Sequence, residues 1–306
     1  MNTPDENATG GATGTLRPAS PAPRAPGPAT GNRPVRRRPW GMWLSAAWIG
    51  LVALSALLAP LLPLPDPTVP DYEHIASGPV TGHLLGTDQL GRDMLARLIH
   101  GARASLQVGL VAVLLGLSAG MLLGLLAGYL RGWVDAVISA VVDLVLAFPA
   151  LVFIMVLVAV RGATATVLII GLGSVFVPTF TRLARANTLM WSKREFVLAS
   201  RVLGSGRLRT LAREVFPNVL PSVLAYAFVV VAVVMVAEGS LSFLGFGLQP
   251  PTPSWGSMIA GGRQLLSSSP HIVALPALVL LLTVLSFNVI GDRLRNKTSG
   301  RSEVSL

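Results

Sequence analysis

Apolar and polar positions do not alternate finely along this chain; they separate into long blocks. Runs free of lysine and arginine occupy residues 42–62, 104–130, 136–160, 162–181, 215–237 and 272–291, and Asp143 alone interrupts the third. Each is near or above the roughly 20 residues a helix needs to cross a hydrocarbon core. A further uncharged run, 239–262, contains Pro250-Pro251-Thr252-Pro253. Those prolines would break a helix and free backbone groups that lipid cannot satisfy, so this run is not counted as a span. The pattern predicts an all-α, polytopic membrane protein with six transmembrane helices.

The blocks divide the chain. Residues 1–39 hold eight prolines among Gly, Ala, Thr and Arg and predict a disordered cytoplasmic tail. Residues 40–62 form the first span, with Arg36-Arg37-Arg38, Trp40 and Trp43 at its entrance; the run is too long and starts too late for a signal peptide. Residues 63–103 read as an external loop closing on an amphipathic helix of Met94, Leu95, Leu98 and Ile99. In it Asp88 is expected to cap a helix, and Arg92 or Arg97 to pair with a carboxylate. Residues 104–291 carry five further spans, interrupted by a polar loop at 184–217 and an external loop at 239–271. Residues 292–306 form a cytoplasmic tail.

Composition agrees: 52% of residues are apolar, 12% are charged and the mean hydropathy is +0.65. With the N-terminus inside, 19 of the 24 lysines and arginines fall on the cytoplasmic side, so both termini are expected there. These basic residues flank spans and would meet lipid headgroups; they do not cluster on a soluble domain, so the +10 net charge argues against nucleic-acid binding. The chain has no cysteine, which excludes disulfides and thiolate metal sites. His74, His83, His100 and His271 stand at no ligand-like spacing, so no metal, cofactor or catalytic site is expected.

Three features carry candidate chemistry. Ala112, Gly116, Gly120, Gly124 and Gly128 lie four apart and would leave a groove along one flank of the second span, open to close packing by another helix. Asp143 and Glu238 are carboxylates within or at the end of spans, costly unless they face protein or water. They fit helix-to-helix hydrogen bonds or caps; used as a proton relay, they would instead suit an ion-coupled secondary transporter.

The third feature is the 184–217 loop. Phe196, Ala199 and Leu203 recur at helical offsets, with Lys193, Arg194, Glu195, Ser200 and Arg201 around them, and Gly204-Ser205-Gly206 ends the helix. A second short helix from Arg207 should lead to Phe216-Pro217. The result is a knob with a rigid bend. Read from residues alone, it could rest on anionic lipid or dock a soluble partner.

Leu198, Ala199, Ser200, Gly204 and Phe216-Pro217 resemble the Glu-Ala-Ala…Gly…Leu-Pro cytoplasmic loop of ABC importer permeases, with leucine for the motif glutamate, serine for its second alanine and phenylalanine for its leucine. The wider chain, about residues 40–297, resembles the second permease of dipeptide, oligopeptide and nickel importers. The resemblance is carried by His83 to Asp93 (HLLGTDQLGRD), Gly101-Ala102-Arg103, Gly132-Trp133-Val134-Asp135, Asp143, Phe148-Pro149, Glu238 to Met258 (EGSLSFLGFGLQPPTPSWGSM) and Phe287 to Arg295. Ala140 stands where relatives often carry an arginine that would partner Asp143. The resemblance implies a permease fold that pairs with a homologous second permease and receives solute from an external binding protein. It also implies docking of two cytoplasmic ATPases, which bind ATP and Mg, through Glu195, Phe196, Ala199, Ser200, Arg201, Leu203, Gly204 and Pro217. The expected solute is a peptide or a small solute such as nickel.

Overall fold

The computed structural model describes residues 40–303, so the expected 1–39 tail lies outside the described residues. The described residues form ten α-helices: α1 (Trp40–Leu58), α2 (Met94–Leu130), α3 (Gly132–Ala147), α4 (Ala150–Arg161), α5 (Ala165–Trp191), α6 (Glu195–Val202), α7 (Arg207–Thr210), α8 (Phe216–Phe243), α9 (Trp255–Gly262) and α10 (His271–Glu303). A 3-10 turn, Ala59–Leu61, extends α1, and a π-helical segment, Leu211–Val215, joins α7 to α8.

Among the described residues, five continuous helices are long and apolar enough to cross a membrane, and α3 with α4 makes a sixth only as a pair bent by 80°. The break falls at Phe148-Pro149 because a proline disfavours helical backbone in the residue before it; Phe148 is extended, at φ −85° and ψ 135°. At 16 and 12 residues, α3 and α4 reach about 24 and 18 Å, each short of a ~30 Å core. The uninterrupted helix expected over 136–160 is thus two helices.

Packing shows that the pair makes one crossing. Positions along α2 climb in step with positions along α5: Gly116 meets Gly173, Gly120 meets Val177, Gly124 meets Thr181 and Gly128 meets Arg185. The two helices are therefore parallel, and α3–α4 must carry the chain back from the end of α2 to the start of α5. α8 runs antiparallel to α2, with Met235 against Gly109, and α10 antiparallel to α8, with Leu280 near Gly239 and Gly291 against Ala225. α1 joins the bundle through the Trp48 indole, which donates to the Thr283 hydroxyl at 3.0 Å. α6 and the end of α10 consequently lie at one end of the bundle, and the 63–93 loop and α9 at the other.

The start of α2 differs from expectation. The amphipathic helix beginning at Met94 is not a separate interfacial element; it is the start of α2, which runs unbroken for 37 residues or about 55 Å. Its cap is Asp93, whose carboxylate accepts the Ala96 amide at 2.7 Å, and not Asp88. Asp88 instead organises the loop before it, accepting the Leu90 and Arg92 amides and pairing with Arg92 at 2.7 Å and Arg97 at 3.2 Å. Three buried charges are thereby compensated in one cluster. At the other terminus, α10 carries helical backbone through the first part of the 292–306 tail, as far as Glu303.

Candidate coupling site

The knob is built on the second half of α5. Helix α5 continues ten residues past the apolar run, to Trp191, and Arg182 and Arg185 lie on it and not in a loop. Arg185 grips Asp135 of α3 with two hydrogen bonds, at 2.5 and 2.7 Å, and Arg182 reaches Asp143 at 2.6 Å. Asp143, whose usual partner position 140 is alanine here, is paired by a cation from α5, a helix-to-helix contact of the kind expected for it.

After a short turn the chain enters α6. Its end is a complete left-handed cap: Gly204 has φ +85°, the Ser205 amide donates to the Ser200 carbonyl at 3.1 Å and the Gly204 amide to the Arg201 carbonyl at 3.0 Å. Glycine is required there because the left-handed region costs other residues steric energy. The second short helix expected from Arg207 leads into the next span without a break, and the chain stays helical from Arg207 through Phe243. The π-helical segment sits directly before Pro217, with the Phe216 amide donating to the Leu211 carbonyl. Pro217 cannot donate to the Arg213 carbonyl and its ring crowds that position, and the wider turn accommodates both effects.

Only one side chain of α6 is fully buried. Val197 is inaccessible and joins the core with Leu211 and Val215 of the π-helical segment. The face of Phe196, Ala199 and Leu203 points outward: Phe196 is 42% exposed and leans on Trp191, while Leu203 is 85% exposed. Val202 at 87% and Leu208 at 77% extend the same bare apolar tip, and neither was singled out from sequence. Glu195 stands exposed in the first turn, Ser200 is half-buried, and Arg201 lies over the Tyr129 ring of α2 at 4.8 Å. Arg131 adds a tie by donating to the Ser192 hydroxyl at 3.3 Å. Contacts from α6 thus run to the π-helical segment ahead of α8 through Val197, and to α2 through Arg201.

The small-residue stripe is filled from within the chain. A Cβ at Gly120 would lie 2.5 Å from the Phe180 Cβ, and one at Gly124 would lie 2.5 Å from the Thr181 carbonyl oxygen. Gly116 and Gly128 meet α5 in the same way, so the groove belongs to an internal α2–α5 seam.

Glu238 occupies a separate junction. It is 2% exposed, and its Oε1 accepts the hydroxyls of Ser242 at 3.0 Å and Ser254 at 2.9 Å. Ser254 also caps α9, and the next residue, Trp255, donates its indole N–H to the Leu98 carbonyl and its amide to the Ser105 hydroxyl. The Glu238 to Met258 stretch thus locks α8, α9 and α2 together. Asp143 and Glu238 have different partners and form no relay with each other.

Up to six crossings, a close-packed α2–α5 seam and an apolar tip at one end are the features of a multi-pass helical membrane protein. Residues 120–300 match the family described as "Binding-protein-dependent transport system inner membrane component". Glutathione transport system permease protein GsiD of Shigella flexneri serotype 5b (strain 8401) is 36% identical over 264 residues, covering 86% of this chain and 87% of the relative. GsiD of Escherichia coli O157:H7 gives the same figures. Among solved structures, an inward-facing form of the MetNI methionine ABC transporter superposes with TM-score 0.55 at 16% identity, over 67% of this chain and 97% of that one, and a second crystal form scores 0.54. That likeness speaks for the fold. The chain belongs to the binding-protein-dependent permease family: it is a multi-pass inner-membrane permease subunit of an ABC importer of the peptide and oligopeptide type, a transport component and not an enzyme.

Proposed function

We propose that this subunit forms half of the path for a small peptide, of the class to which glutathione belongs, and is driven by ATPases that seat on the α6 tip. Its partners in this reading are a homologous second permease, two ATPase subunits or domains that bind ATP and Mg, and an external solute-binding protein. Both termini and α6 then face the cytoplasm, a reading that the excess of Lys and Arg on that side supports. The observation that carries the reading is the tip itself: Val202, Leu203 and Leu208 are exposed on a helix whose bend is fixed by Gly204 and whose root is buried at Val197. An apolar tip held this rigidly suits a groove in a soluble partner, and its differential contact with two ATPase states would bias two packings of the spans.

The test measures ATPase co-purification, peptide uptake and membrane abundance for Phe196→Asp. Abundance is expected to persist while co-purification and uptake fall together. Normal co-purification and normal uptake in this variant would overturn the docking assignment. Uptake that follows the proton gradient without the ATPase would favour a secondary transporter.

A further inference from the structure

The loop at the opposite end of the bundle gathers residues that the sequence keeps apart. Asp71, His74 and His83 each offer one ligand-type atom, and the three atoms lie within 4.8 Å of one another. The Asp71 Oδ2 is 2.9 Å from the His74 Nδ1 and 3.3 Å from the His83 Nε2. In a tetrahedral site with metal–ligand bonds near 2.0–2.1 Å, neighbouring ligand atoms stand about 3.3 Å apart. Local hydrogen bonds hold the three in place: the Asp71 amide donates to the Gly91 carbonyl, the Glu73 amide to the Asp71 Oδ1, the Thr87 hydroxyl to the His74 carbonyl and the His83 amide to the Val80 carbonyl.

Both nitrogens of His83 face carboxylates. Its Nδ1 lies 2.9 Å from the Oδ2 of Asp93, whose side chain is buried and whose other oxygen caps α2. A neutral imidazole has one N–H, which leaves one nitrogen lone pair turned toward a carboxylate oxygen. A cation between His83 Nε2 and Asp71 removes that conflict, and Nδ1–H donating to Asp93 is the outer-shell arrangement that orients a metal-bound histidine. The proton is the competitor: hydrogen bonding to Asp93, and more weakly to Asp71, holds His83 above its usual value, and His74 holds Asp71 below its own.

We propose that Asp71, His74 and His83 form a site for a divalent transition-metal ion, Zn2+ in the first instance, with Asp93 orienting His83. Two imidazoles and one carboxylate suit such an ion and not Mg2+ or Ca2+, which take all-oxygen shells. The His74 and Asp71 side chains are 38% and 36% exposed, so the ion has an entry path and a position open to water or to a donor from outside. A bound ion would tie the loop to the start of α2.

The test is equilibrium dialysis of the purified full-length chain, in its importer complex, against Zn2+ and Co2+ at pH 8. About one equivalent per chain is expected, with a Co2+ absorption band of four-coordinate intensity. His74→Ala, His83→Ala and Asp71→Asn should each weaken binding by at least about tenfold, and Asp93→Asn by about 10–100-fold. His100→Ala should leave binding unchanged. Circular dichroism melting of the metal-free variants separates loss of a ligand from loss of fold, and His74→Ala, with its exposed side chain, is the deciding variant. Absence of stoichiometric binding, or stoichiometric binding that folded His74→Ala and His83→Ala both retain, overturns the proposal.

Discussion

At the residue scale, backbone geometry decides which positions matter. Gly204 at φ +85° has open space around its Cα, so a side chain there meets no neighbour and the cost is conformational alone. Gly204→Val should disfavour the left-handed cap by about 1–2 kcal/mol. The α6 tip is then misdirected: uptake should fall several-fold while membrane abundance, read by immunoblot, stays near wild type. Equal loss of abundance would mean that the glycine serves folding and not coupling. Glu238 is the opposite case, a buried acceptor with two hydroxyl donors. Glu238→Ala should lower stability by about 1–3 kcal/mol, because buried hydroxyls lose their acceptor, and Glu238→Gln, which keeps a carbonyl oxygen, should cost less. Thermal melting in detergent checks the order; Gln and Ala variants of equal stability would contradict it. The glycine was legible in the sequence because only one cap chemistry uses it so. Val197 was not, since a single valine in a short helix gives no periodic signal until the element beneath it is known. The same holds for Asp93 against Asp88: two aspartates stand five residues apart before one helix, and only the start of α2 shows which one caps it.

At the scale of elements, the period-four stripe on α2 was readable, but its partner was not. A run of small residues states that something approaches closely, and says nothing about whether it is the same chain. The structure supplies α5, which answers with its own Gly173 against the Ala112 carbonyl. Gly120→Leu and Gly124→Leu should therefore each destabilise the isolated subunit by about 1–3 kcal/mol or more through overpacking, before any question of subunit assembly. A normal melting temperature for both variants would show the seam to be looser than these contacts. The α3–α4 break was half legible: Phe148-Pro149 is plain in the sequence, whereas an 80° bend depends on what the two halves pack against. Likewise the end of the apolar run at Thr181 concealed ten further helical residues of α5, because Arg182 and Arg185 are matched by aspartates 39 and 50 positions earlier in the chain. Long-range ion pairs leave no local trace.

At the scale of the whole molecule, the all-helical class and the crossings follow from block hydrophobicity, and the parallel α2–α5 packing makes the bent pair a single crossing. The account's central claim is that the tip of α6 meets the ATPase. The chain contains no cysteine, so one introduced at the tip is unique within the subunit. Leu203→Cys, with its position 85% exposed, should cross-link to single-cysteine variants of the cognate ATPase in membranes, at a yield that changes when ATP is added. A cysteine replacing Leu84, 74% exposed at the opposite end of the bundle, should not cross-link. If Leu203→Cys gave no ATPase adduct while Leu84→Cys did, or if neither did in a complex still active in uptake, α6 would not be the docking element and the account would be wrong.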